Sequence, residues 1–277
     1  PNVLSKLPKS GSWTNSVKVV LGFIELALAF KFLSNVDLVQ GWGILKREVF
    51  VLIWVIIFFA CGIYLLKDLR KSFSLIISLK SLIASLFILS GLFMSKSLTK
   101  NSETKLSFLS GLLPPQFYSI YEVDNDCPLS LDCYKSFDKG LELSKKFNKP
   151  ILLDFTGWAC ANCRRVEENT WSDPEVYDLI NNKFILISLY VDDRTYLKDD
   201  VITLRDKNGN KKILEKVGEK WSAFQTLNFK INSQPYYVLI SPELNILNSP
   251  IQYTDTETYK NWLNDGLNSF TSQNKLP

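Results

Sequence analysis

ILLDFTGWACANCRRVEENTWSDPEV, residues 151–176, reads as strand, turn, helix and a second helix start in close succession. Ile151-Leu152-Leu153-Asp154-Phe155 is a short apolar run of the kind that forms a buried strand. Cys160-Ala161-Asn162-Cys163 follows at the strand-to-helix turn, and Arg164 to Asn169 continues as helix. That placement sets the first sulfur at a helix N-terminus, where unpaired backbone N–H groups and the helix dipole stabilise a thiolate. The second thiol lies one turn further in. A pair so spaced can attack a disulfide, hold the mixed intermediate and be released, which is dithiol–disulfide exchange. Ser172-Asp173-Pro174-Glu175 ends the stretch with a capping residue before a proline at the first helical position.

Composition removes several classes of chemistry. The chain has no histidine in 277 residues. This excludes Ser-His-Asp and Cys-His catalysis and any histidine-bearing metal site. Arg164 follows Cys163, so the c-type haem signature is absent too. A net charge of +4 is small for this length and gives no footprint for a nucleic-acid partner. Cys160 and Cys163 could be half of a structural zinc site completed by Cys127 and Cys133. The gap between the latter two exceeds common zinc spacings, so no metal is expected.

The chain has two unlike halves. Val49 to Leu66 is uncharged and long enough to cross a bilayer as a helix. Ser72 to Ser95 is a second such run, interrupted by Lys80, whose side chain can snorkel to the interface. Lys18 to Leu33 carries Glu25 at its middle; it is a third span or a soluble amphipathic helix. Apolar residues around Glu25 on every face favour a span. Glu25 is then a functional intramembrane acid or a carboxylate satisfied inside a bundle. Lys6, Lys9, Lys67, Arg70 and Lys71 balance Lys46, Arg47, Lys96, Lys100 and Lys105, so charge does not orient the spans. The chain begins with proline and carries no secretory signal pattern, as expected for the later part of a longer polypeptide. Cys61 has no partner cysteine in any span and reads as a small buried hydrophobe.

Lys96 to Ser136 is rich in Ser, Asn, Pro and Asp and reads as a linker. Asp138 to Asn148 is amphipathic and stops at Lys149-Pro150. Phe184 to Val191 is a buried strand, and Asn208-Gly209 marks a hairpin. Tyr236 to Ile240 and Asn245 to Leu247 read as short strands, and Thr256 to Phe270 as a closing amphipathic helix. Asp154 follows two leucines and is expected to be buried below the sulfurs. Burial raises a carboxyl pKa, which makes Asp154 a proton acceptor for the resolving thiol. Arg164 and Arg165 either add positive field near the thiolate or face solvent.

This order of elements resembles thioredoxin over residues 136–272. Asp154 lies where thioredoxins keep a buried acid, and Trp158 where they keep an aromatic residue. Gln234-Pro235 enters a strand where they have a cis-proline beside the disulfide. The resemblance implies that Trp158, Gln234 and Pro235 contact substrate. Between Val191 and Pro235 the chain is longer than a plain thioredoxin. The whole chain resembles the C-terminal part of the DsbD-type thiol:disulfide interchange proteins, in the long-insert form of Bacteroidetes-like sequences. Leu7-Pro8-Lys9-Ser10-Gly11, Lys18 to Asp37 and Asp154 to Val176 carry that likeness.

The resemblance implies an α-helical transmembrane segment, residues 1–95, the last three of eight spans. A linker, 96–135, and an α/β thioredoxin-like domain, 136–277, with a central mixed sheet flanked by helices would follow. It implies a protein-disulfide reductase of the bacterial inner membrane, with its thioredoxin-like domain in the periplasm. Electrons would come from an upstream membrane cysteine pair and go to periplasmic disulfide-bearing proteins, cytochrome c maturation partners among them. No cofactor is implied beyond the redox-active disulfide Cys160–Cys163. Cys160 would attack, Cys163 resolve, and Asp154 with Glu167 manage the proton. Glu167 matches an acidic position of the DsbD soluble domain; the alternative is a solvated helix-face charge. In an oxidising compartment Cys127 and Cys133 form a structural disulfide, with a second redox relay as the alternative. For the activity as a whole the alternatives are an oxidase or isomerase, or a redox-inactive binding or assembly module. Such a module would need none of Cys160, Cys163 and Asp154.

Overall fold

The computed structural model describes residues 12–67, 75–99, 106–122, 125–197, 201–205 and 211–273. Leu7–Gly11, the start of the Ser72–Ser95 run and the Asn208-Gly209 turn lie outside the described residues. The chain divides into two compact units, Pro1–Ser34 with Ile44–Leu106 and Asn35–Gly43 with Ser107–Pro277.

The first unit is built on α1 (Ser12–Gln40) as far as Ser34, on α2 (Arg47–Leu66) and on α3 (Leu75–Ser95). Three helical stretches, Thr14–Gln40, Arg47–Leu66 and Leu79–Leu98, are long and apolar enough to cross a membrane. Phe58 of α2 meets Phe87 of α3 edge to face at 5.4 Å, and the Trp54 indole N–H donates to the Ala27 carbonyl of α1 at 3.1 Å. Cys61 is fully buried and packs with Leu65 and Ala84. Lys80 is buried. Glu25 is exposed, as are Leu21, Ile24 and Leu28, so these helices leave that face of α1 uncovered.

In the second unit the chain runs β1 (Cys133–Tyr134), α4 (Phe137–Phe147), β2 (Ile151–Thr156), α5 (Ala161–Arg165), α6 (Pro174–Lys183) and β3 (Ile185–Tyr190). It continues through β4 (Ile202–Arg205), β5 (Lys211–Leu214), α7 (Val217–Phe229), β6 (Tyr236–Ile240) and α8 (Thr256–Gln273). The main sheet has the order β1-β3-β2-β6. β1 and β2 run parallel to β3, and β6 is antiparallel to β2, so the sheet is mixed. β2 sits centrally and is buried along its length, which is why it reads as a continuous apolar run.

Alternate side chains of the strands feed two cores. Leu152, Leu186 and Leu239 pack with Val166, Trp171, Ile180 and Leu263 on one face. Ile151, Leu153, Phe155 and Ile187 pack with Trp221 and Phe224 on the other. Asp154 lies on the Leu152 side. Gly266 of α8 lies so close to the sheet that a Cβ there would come within 2.2 Å of Leu239.

The structure departs from the sequence reading in three places. The sheet begins at Cys133, inside the stretch read as linker, because Cys133 and Tyr134 pair with Leu186 and Ile187. The long stretch between Val191 and Pro235 holds a thirteen-residue helix, α7, besides the β4–β5 hairpin. Asn245–Leu247 reduces to a bridge between Ile240 and Ile246. There the Ser241 hydroxyl accepts from the Glu243 and Asn245 N–H groups and folds the connection into a tight turn.

Candidate active site

The turn after β2 is held by the residues that follow β3. The Asp192 carboxylate accepts the Trp158 backbone N–H at 2.8 Å and the Ala159 N–H at 3.0 Å. The Trp158 indole N–H donates to Asp193 at 3.4 Å. The Trp158 ring stacks on Tyr190 at 3.9 Å, with Lys135 Nζ 4.8 Å from the ring and Phe117 edge-on at 6.1 Å. Held by these contacts, the turn delivers Cys160 to the N-cap of α5, where its Sγ accepts the Cys163 N–H at 3.1 Å. Cys160 is half-buried and Cys163 is buried. The two sulfurs are joined as a disulfide, with Cα atoms 5.3 Å apart. One sulfur is therefore reachable and the other enclosed.

The helix that starts at the pair also carries a buried cluster of charge. Arg164, only 3% exposed, donates from Nη2 to Glu167 Oε1 at 2.6 Å and to Thr156 Oγ1 at 3.3 Å. Its guanidinium lies 5.5 Å from the Phe117 ring centre. Asp154 is 1% exposed and stands between Ser188 of β3 and Tyr237 of β6 in the strand register. Burial pushes its carboxyl up to about 7, with Arg164 pulling the other way. Burial raises Glu167 as well, again against the pull of Arg164. Burial works against the charged form of Arg164, but Glu167, Tyr190 and Asp154 together raise its pKa.

Gln234-Pro235 has a cis peptide bond and leads into β6. Phe155 pairs with Tyr236, so Pro235 stands at the end of the sheet from which the Cys160 turn departs. Cys127 and Cys133 are joined as a second disulfide, tying the segment before β1 to the sheet edge. Ser110 donates to Glu168 at 2.5 Å. Gly111, at φ +81°, lies so close to Ala161 that a Cβ there would come within 2.7 Å of its carbonyl oxygen. Part of the presumed linker therefore lies against the CxxC helix.

The structure gathers Asp154, Arg164 and Glu167 into one buried cluster. Glu167 and Arg164 are buried, so neither faces solvent, whereas Arg165 does. Asp192, Asp193, Tyr190, Lys135 and Phe117 were not marked by sequence. The usable signal was that Asp192-Asp193 follows the carboxyl end of a strand, where α/β folds collect their functional groups. For Lys135 and Phe117 there was none.

The sheet order, the CxxC pair at a helix start and the cis-proline define a thioredoxin-like domain. A thioredoxin-like family model matches residues 132–216. Beyond the domain, the chain is similar to DsbD-type thiol:disulfide interchange proteins. It is 29% identical over 204 residues to the thiol:disulfide interchange protein DsbD of Campylobacter jejuni (strain RM1221), covering 72% of this chain and 32% of that protein. It is 26% identical over 183 residues to DsbD of Salmonella typhi, covering 65% and 27%. The Campylobacter match is longer than the thioredoxin-like half alone, so the likeness reaches into the apolar helices. The chain spans about a third of the length of these curated relatives. Among solved structures, a thioredoxin from Thermus thermophilus has a TM-score of 0.39 at 14% identity, covering 53% of this chain and 95% of that one. The reduced C-terminal domain of Neisseria meningitidis DsbD has a TM-score of 0.33 at 14% identity, covering 47% and 92%.

Proposed function

We propose that this chain is a membrane-anchored protein-disulfide reductase working by dithiol–disulfide exchange. The observation that carries the reading is the asymmetry of the cysteine pair: Cys160 is half-buried at the helix start, while Cys163, one turn further in, is buried. In the reduced pair the Cys160 thiolate attacks one sulfur of a substrate disulfide. The substrate S–S bond breaks, a mixed disulfide forms, and the departing substrate thiolate takes a proton. Cys163 then gives its proton to the Asp154–Glu167 pair and attacks Cys160 Sγ. This closes the Cys160–Cys163 bond and releases the second substrate thiolate, which is protonated in turn. Two electrons and two protons pass to the substrate, and no cofactor beyond the cysteine pair is needed. Trp158, Gln234 and Pro235 frame the site and hold the substrate segment.

The DsbD likeness supports a fuller setting. A cysteine pair of a membrane domain, outside these residues, would supply the electrons. The thioredoxin-like domain would face the periplasm from the inner membrane, and its substrates would be periplasmic disulfide proteins, cytochrome c maturation partners included. Trapping tests the core of the reading. Cys163→Ala should accumulate mixed disulfides on non-reducing gels and Cys160→Ala should not; the reverse pattern would overturn the assignment of nucleophile and resolving thiol.

A further inference from the structure

The long stretch between Val191 and Pro235 builds a cleft of about 490 Å³ outside the carboxyl end of β3, where open α/β sheets place their ligands. Val191 to Arg194 form one wall, Leu204 and Lys212 of the β4–β5 hairpin a second, and Lys216 with Leu227 of α7 a third. Two of its borders belong to the thiol site. Asp192 and Asp193 hold the Trp158–Ala159 turn by hydrogen bonds of 2.8, 3.0 and 3.4 Å. Asn232, at the far border, stands three residues before the cis-Pro235. Trp158 and Ala159 immediately precede Cys160, so on the order of four residues of extended chain, at roughly 3.3–3.6 Å each, bridge from Cys160 to the cleft.

The cleft offers donors without acceptors. Arg194 and Lys212 are exposed and Lys216 is half-buried, and none of the three has an ion-pair partner among the described residues. The acids of the same lining are engaged: Asp192 and Asp193 by the turn and by the Thr195 N–H, Glu219 by the Glu215 and Lys216 N–H groups. Lys216 and Lys212 act on Glu219 only through space. On the hairpin Arg205 stands directly opposite Lys211, a like-charge pairing that weakens a bare strand pair. Leu227, 55% exposed, leaves apolar surface open beside these cations. We propose that this cleft is a second binding site for the polypeptide that flanks the substrate disulfide, and that it selects segments carrying a carboxylate next to an apolar side chain. The inference deepens the exchange reading above and rests on it. The carboxylate accepts from Lys212, Lys216 or Arg194, and the apolar side chain lies on Leu204 and Leu227. Because the segment is remote from the sulfurs and is bound alike before and during exchange, it lowers KM and leaves kcat alone.

The test uses the full chain in nanodiscs with a dithiol donor and disulfide-bonded peptides as acceptors. The peptides carry Leu-Asp-Glu, Leu-Asn-Gln or Leu-Lys-Lys about four residues before or after the reacting cysteine. The better placed acidic peptide should show a KM roughly threefold to tenfold below its amide counterpart, as two exposed ion pairs would give. Their kcat values should agree, and the gap should close as salt is raised. Lys212→Glu combined with Lys216→Glu should reverse the order and favour the lysine peptide. Equal KM for acidic and amide peptides, or a preference that survives the charge reversal, would overturn the proposal. Failure of the native chain to reduce any of the peptides would instead sink the exchange reading itself.

Cross-linking stands independently of whether the charge-reversed chain folds. Cys163→Ala in the otherwise native full chain should hold the acidic peptide as a mixed disulfide with Cys160. A carbodiimide should then join the peptide carboxylate to Lys212 or Lys216, read by mass spectrometry of the digested adduct. Cross-links confined to lysines outside the cleft, or none from a trapped peptide, would overturn the proposal.

Discussion

Asp154 stands where a carboxylate is hardest to sustain, in the central strand, 1% exposed, with tyrosine on one side and serine on the other. Its ordinary pKa is about 4, and burial pushes it up to about 7. An acid that binds its proton more tightly folded than unfolded contributes stability that is complete below the unfolded pKa. That contribution is lost as pH rises through the folded one. The native chain should therefore lose on the order of 2–4 kcal/mol between pH 5 and 9 from this group alone. Asp154→Asn should flatten that decline in thermal unfolding, becoming the more stable of the two at pH 9. Parallel pH profiles for the two chains would contradict the burial argument. Under the proposed function, the same placement that weakens the fold at high pH would supply an acceptor near neutrality.

Strands and helices differ in how plainly the sequence announces them. β2 and the CxxC turn were legible because a buried strand is apolar throughout and the cysteines sit at its end. α6 was legible through its cap: Asp173 accepts the Glu175 and Val176 N–H groups as Asp-Pro-Glu anticipates. α7 was not read, although Val217, Trp221 and Phe224 recur at helical spacing on the core side. Its start lacks a Ser, Thr, Asp or Asn cap and is closed by Glu219 accepting from Glu215 and Lys216 instead. β1 could not be read: two residues carry no periodicity, and only pairing with β3 makes Cys133–Tyr134 a strand. Arg164 and Glu167 were ambiguous because a helix-face charge looks the same in sequence whether solvent or a folded-back segment covers it. That segment is braced by Cys127–Cys133. Changing both cysteines to serine should lower the Tm by roughly 4–8 °C, as expected for a loss of about 2 kcal/mol. Reductase turnover should stay nearly intact. Loss of turnover in a folded variant would assign the second pair to a relay.

The chain as a whole couples helices able to span a membrane to a domain with a reachable disulfide. Thiol exchange needs contact between a thiolate and a disulfide at each step. Cys61 is the one cysteine before residue 127, and it is enclosed by Leu65 and Ala84. A lone thiol cannot store two electrons as a disulfide, so the proposed function expects these helices to serve as an anchor and the electrons to reach Cys160–Cys163 from another dithiol. The decisive experiment supplies that dithiol directly. The full chain in nanodiscs is given reduced thioredoxin as donor and a disulfide-bonded peptide as acceptor, and peptide thiols are followed over time. The expected result is many peptides reduced per chain, with turnover abolished in Cys160→Ala. Contradiction would come from a pair that the donor reduces but that leaves the peptide disulfide intact, or from a chain that oxidises the dithiol peptide faster than it reduces the disulfide form.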